Sequence, residues 1–141
     1  MTSDELGRSY LTKAEVRLGV LEYLMEREAW SDVIRVAQEL VELSLKGMLR
    51  MVGVDPPKWH DVGPVLLEQQ QLLPGALRVE VDRMAAISRW LRKERELAFY
   101  GDIDFVPTRA YGREEAERAL LDARFVLKCT QTLAAQLTKG R

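Results

Sequence analysis

The sequence predicts an all-α protein, an antiparallel bundle of about five helices. Three observations carry that expectation. Apolar residues recur three and four positions apart over most of the 141 residues, the spacing that lays one stripe along a helix. No stretch alternates apolar and polar residues between hairpin turns, and no repeat of about 20 to 50 residues is present. Glycine and proline cut the chain into helix-length segments whose connections are short except near 53–61 and 101–112.

Each element follows in order. From about Tyr10 to Glu28, Leu11, Ala14, Leu18, Leu21 and Met25 form an amphipathic stripe. Ala29-Trp30-Ser31-Asp32 supplies a turn and N-cap candidates, and Val33, Ala37, Leu40, Ser44, Met48 and Val52 resume the pattern. Ile34, Val41, Leu45 and Leu49 widen that face, which predicts the central helix. Gly53 suits a left-handed terminator, and Pro56-Pro57 prevents resumption. Asp61 can cap a short third helix to about Gln71, with Pro64 tolerated in its first turn. After Pro74-Gly75 a fourth helix runs to Tyr100 through Leu77, Val81, Met84, Ser88 and Leu91, and Gly101 ends it. The loop Asp102–Thr108 is expected to tuck its apolar residues onto the bundle. The last helix, about Arg113 to Thr138, aligns Ala116, Leu120, Ala123, Leu127, Thr130, Ala134 and Leu137, with Glu114 and Glu115 favourably placed in its first turn.

Composition narrows the function. With 47% hydrophobic and 30% charged residues the chain reads as one ordinary globular domain over 1–141. Lys and Arg number 21 against 22 acidic residues, a net charge of −1, so any polyanion site is a local patch. The single cysteine and single histidine exclude an internal disulfide and a zinc cluster, and predict a reducing, cytoplasmic setting with no metal. The polar start and the lack of about 18 consecutive apolar residues predict neither export nor a membrane span. No G-x-S-x-G elbow, Walker A pattern, H-E-x-x-H or Gly-rich dinucleotide turn occurs, so no cofactor is expected.

The residues that could carry chemistry are few. His60, beside Lys58 and Asp61 at a loop-to-helix junction, titrates near neutral pH and suits a general base or a phosphate ligand as well as a structural hydrogen bond. Cys129 sits in the apolar last helix, where a buried thiol is the ordinary outcome. Arg78, Arg89, Arg92 and Lys93 share one side of the fourth helix, a candidate phosphate stripe that equally suits a solvated face. Asp102 and Asp104 form an acidic loop pair.

The run Ala37-Gln38-Glu39-Leu40-Val41-Glu42-Leu43-Ser44-Leu45-Lys46-Gly47-Met48-Leu49, followed by Gly53-Val54-Asp55-Pro56-Pro57-Lys58-Trp59-His60-Asp61, resembles the small prokaryotic HEPN-domain proteins. Arg95-Glu96-Leu97-Ala98-Phe99-Tyr100-Gly101-Asp102 resembles the same family's fourth-helix end, and together the likeness spans about residues 6 to 137. The resemblance implies a five-helix, commonly dimeric bundle, often paired with a minimal nucleotidyltransferase in a toxin–antitoxin-like system and engaged in nucleotide or RNA binding or RNA cleavage. The family's nuclease signature is an arginine followed about four to six residues later by a histidine, poised for metal-independent attack by a ribose hydroxyl. Residues 53–59 contain no arginine, and nine residues separate Arg50 from His60.

The leading expectation is therefore a homodimeric HEPN-like protein that binds nucleotide or RNA phosphate through Lys58, His60, Asp61, Arg89, Arg92, Lys93, Tyr100 and Asp102. One alternative makes His60 the catalytic base of an endoribonuclease, with Arg50 or Arg83 supplying the guanidinium. The other is a purely protein-docking module for the nucleotidyltransferase.

Overall fold

The computed structural model of the protein describes residues 1–58 and 61–140. Helix α1 spans Ser3–Glu26, starting well before the Tyr10 expected from its stripe. A capping box explains the early start: Glu5 donates its backbone N–H to Thr2 Oγ1 at 3.0 Å, and the Glu5 carboxylate accepts the Thr2 N–H at 3.3 Å. The chain reverses at Glu28, whose φ of 55° is left-handed. Helix α2 spans Trp30–Met51 from Ala29, with no side-chain cap, so neither Ser31 nor Asp32 plays the expected capping part.

Helix α2 is the centre of the bundle and packs on α1, on α5 (Val81–Phe99) and on α7 (Arg113–Lys139). Its Ile34, Leu40, Leu45, Met48 and Leu49 are fully buried, each such side chain stabilising the fold by roughly 1.5–3 kcal/mol of transfer free energy. Against α1 the approach is closest at Gly7 and Gly47, where the two backbones meet. Against α7, Thr130 Oγ1 lies 3.2 Å from the carbonyl oxygens of both Val126 and Ser44, which satisfies a hydroxyl buried in that seam. Gly53 adopts a φ of 85° and ends α2 as expected, while Val54 returns its N–H to the Leu49 carbonyl at 2.9 Å.

The middle of the chain is more broken than its apolar pattern predicts. The third helix is α3, Gly63–Glu68, followed by a 3₁₀ turn at Gln70–Leu72. The expected fourth helix is two pieces, α4 (Gly75–Arg78) and α5. Arg78 donates to the carbonyls of Gln70, Gln71 and Leu73, which ties α4 backwards to the 3₁₀ turn rather than onward to α5. Leu77 and Val81 still both reach the core, so the stripe survives a break that the sequence pattern does not register.

Gly101 ends α5 with a φ of 72°, and a Cβ there would strike the Phe105 carbonyl. Asp102 and Phe105 then pair through two backbone hydrogen bonds of 3.0 and 2.9 Å. Phe105 packs back on the core, edge-on to Tyr111. Ile103, at the tip of this turn, does not tuck in and is 93% exposed. A single helical turn, α6 (Pro107–Ala110), precedes α7. At the start of α7 the Glu115 carboxylate accepts the Gly112 N–H at 2.9 Å, the first-turn role expected of an acidic residue there. The described residues thus form seven α-helices and one 3₁₀ turn, with no strand.

Candidate functional site

Two facing helices and one connection build a cleft. On α2, Gln38 and Glu42 are one turn apart; on α5, Arg92, Arg95, Glu96 and Phe99 recur at helical spacing, so each set shares a face. Packing α2 on α5 turns these faces toward each other. Tyr100, just past the end of α5, and Lys58, from the segment after Pro56-Pro57, complete the lining. The resulting cleft holds about 600 Å³, within the range typical of small-molecule sites.

Its two arginines are held by neighbouring carboxylates. Glu42 Oε1 lies 3.5 Å from Arg92 and 3.7 Å from Lys46. Glu39 lies 3.3 Å from Arg35 and 3.9 Å from Arg95 through Oε1, and 3.8 Å from Arg17 through Oε2. All are partly exposed pairs, worth at most about 1 kcal/mol each; their consequence is to hold guanidinium groups at the cleft without burying them. The Arg35 guanidinium also sits over the Phe99 ring at 5.1 Å, and Phe99 and Tyr100 lie 4.6 Å apart at a 35° tilt. Both rings are largely exposed, Phe99 at 52% and Tyr100 at 77%.

A second, smaller hollow of about 210 Å³ lies between α3 and α5, lined in part by Asp61, Asp82 and Arg89. Here Asp61 Oδ1 accepts from Ser88 Oγ at 2.6 Å and from the Gly63 N–H at 3.2 Å, which starts α3 and fastens it to α5. Replacing Asp61 with alanine removes both bonds, so we expect a loss of about 1–2 kcal/mol, read from urea unfolding. Ser88→Ala, which removes only one, is expected to lose less.

The structure divides the residues singled out from sequence. Lys58, Arg92 and Tyr100 meet in the large cleft, whereas Asp61 and Arg89 line the hollow. Lys93 is exposed and borders neither. Asp102 belongs to the turn after α5, its Oδ1 accepting the Ile103 N–H at 2.7 Å. His60, proposed as ligand and as catalytic base, lies outside the described residues together with Trp59. Arg78 is separated from the expected stripe by the break before α5. Of the two arginines considered as partners for His60, Arg50 pairs with Asp55 at 3.2 Å and Arg83 stacks 3.7 Å over Phe125. Burial pushes the Cys129 thiol above its ordinary pKa, with Glu80 adding to the rise, which leaves it a neutral core group. Among the described residues no cluster of metal-ligating side chains occurs.

Gln38, Glu42, Glu96 and Phe99 were not among the residues predicted to bind, whereas Arg95 closes the Arg89-to-Arg95 stretch that was. The available signal was the register Arg92, Arg95, Phe99 along α5. It faces α2, and a wheel drawn for one helix does not include its neighbour.

The protein is thus an all-α bundle whose polar and aromatic side chains converge between two facing helices. The chain belongs to the HEPN domain family, which it matches over residues 8–133 of its 141. No curated protein and no solved structure shows significant similarity to it. No helix among the described residues is long and apolar enough to cross a membrane.

Proposed function

We propose that the α2–α5 cleft binds a nucleotide, free or within an RNA strand. One observation carries this reading: Lys58, Arg92 and Arg95 share a 600 Å³ cleft with the exposed rings of Phe99 and Tyr100. Phosphate requires cations that can leave a carboxylate for a stronger, charge-assisted partner, and guanidinium does so bidentately. A base requires a π face on which to stack. Since the whole chain carries a net charge of −1, affinity must come from this local arrangement rather than from a long-range field.

In the same reading the protein works as a homodimer in the cytoplasm beside a minimal nucleotidyltransferase, as one half of a toxin–antitoxin-like pair. Membership of the HEPN family supports this, as do the exposed apolar side chains of Ile103 and Val106 in the turn after α5, which suit protein contact.

The test is thermal unfolding with mononucleotides. At a ligand concentration about 100 times the dissociation constant the native state gains about 2.7 kcal/mol, so the melting temperature should rise. An unchanged melting temperature with every common ribonucleotide at millimolar concentration would overturn the proposal.

A further inference from the structure

We infer that Gln38 is the specificity-determining residue of this cleft and that it selects adenine, an inference resting on the nucleotide reading above. Gln38 is 7% exposed, yet it borders the cleft. Its side-chain amide pairs with no described residue, and its oxygen and nitrogen are not sealed from solvent, so the amide opens onto the cleft. A side chain mostly buried in α2 whose amide stays open at the wall of a cavity offers its donors and its acceptor to a ligand. Its position on α2, a rigid and deeply packed helix, fixes where it can reach.

The chemistry of the amide narrows the ligand. It offers one acceptor, Oε1, beside two N–H donors on Nε2, the complement of an exocyclic amine next to a ring nitrogen. Adenine presents that pair as N6–H and N7, whereas guanine presents two acceptors on the same edge. The carboxylates of Glu42 and Glu96, also on the cleft, attract an exocyclic amine such as adenine's and repel the carbonyls of uracil; guanine is disfavoured by the amide, which meets two acceptors on its O6/N7 edge. Cytosine carries an amine too, but stacking on Phe99 and Tyr100 favours the larger ring. Adenine is therefore the base that satisfies the amide, the carboxylates and the aromatic rings together. Arg92, Arg95 and Lys58 remain for its phosphate.

Calorimetric titration with AMP, GMP, CMP and UMP at one salt concentration tests this, with purine riboside monophosphate, which lacks the 6-amino group, as a fifth ligand. Wild type should bind AMP about tenfold more tightly than each of the others. Gln38→Met, of similar volume and unable to hydrogen-bond in this way, should bind all five about equally, the phosphate and stacking contacts being intact; its melting curve verifies folding. Equal binding of the ligands by wild type, a preference for CMP, or an AMP preference that survives in Gln38→Met would overturn the inference while leaving nucleotide binding standing. If none of the ligands binds, both readings fall. A short oligo(A) strand titrated beside AMP separates the two sources of the base, since tighter binding of the strand assigns the site to RNA and equal or weaker binding to the free nucleotide.

Discussion

Gly47→Val is expected to destabilise the protein by about 3 kcal/mol, at the upper end of overpacking effects, and to lower its melting temperature by roughly 10 °C. Helices α1 and α2 cross backbone to backbone: a Cβ on Gly47 would lie 2.8 Å from the Gly7 carbonyl oxygen and 3.3 Å from the Tyr10 Cβ. The converse holds at Gly7, where a Cβ would meet the Gly47 carbonyl oxygen at 2.7 Å and the Met51 Cγ at 2.9 Å. Carbonyls within helices cannot rotate aside, so the whole of α1 must shift, and with it the α1–α2 seam. Gly19, also inside α1, provides the contrast because nothing lies within 4 Å of its Cβ position. Gly19→Ala should stabilise by about 0.5–1 kcal/mol through helix propensity alone. Urea unfolding of the two variants reads both signs, and a neutral Gly47→Val would contradict the close crossing.

Reversing the two arginines of the cleft, Arg92→Glu with Arg95→Glu, is expected to weaken nucleotide binding at least 100-fold, on the order of 3 kcal/mol for two lost charge-assisted contacts. The change does more than remove cations, since it adds two carboxylates to a cleft that already holds Glu42 and Glu96. Fold stability should fall far less, because the ion pairs these arginines make to Glu42 and Glu39 are partly exposed. Lys93→Glu alters charge on the same helix but outside the cleft, so its affinity should stay within about twofold if the effect is local rather than a general field. A titration showing equal losses for Lys93→Glu and either single arginine reversal would contradict the cleft as the binding site.

The long helices were legible in sequence because burial imposes a period that the apolar residues of α1, α2, α5 and α7 obey. Gly53 and Gly101 were legible as terminators for a different reason, a left-handed backbone that glycine alone tolerates well. The start of α1 was legible too, in the Thr2–Glu5 pair, but a polar N-terminus carries no apolar stripe to draw attention to it. The break between α4 and α5 was not legible, since Leu77 and Val81 keep helical spacing across it and the Arg78 side chain that holds it bonds backbone carbonyls of the preceding turn. For the cleft, Lys58, Arg92 and Tyr100 were recognised by residue type and family likeness. Gln38 was hidden among the apolar residues of α2, because the side chains that face it across the cleft are on α5 and only packing brings the two helices together.

The most direct test of the nucleotide-binding cleft is a backbone amide NMR titration of the full chain with AMP. Binding in the cleft predicts saturable shifts at Gln38 and Glu42 on α2, at Arg92 to Phe99 on α5 and at Lys58, with α1 and the outer face of α7 silent. Saturable shifts confined to the hollow around Asp61 and Arg89, or no shifts at millimolar AMP, would contradict it.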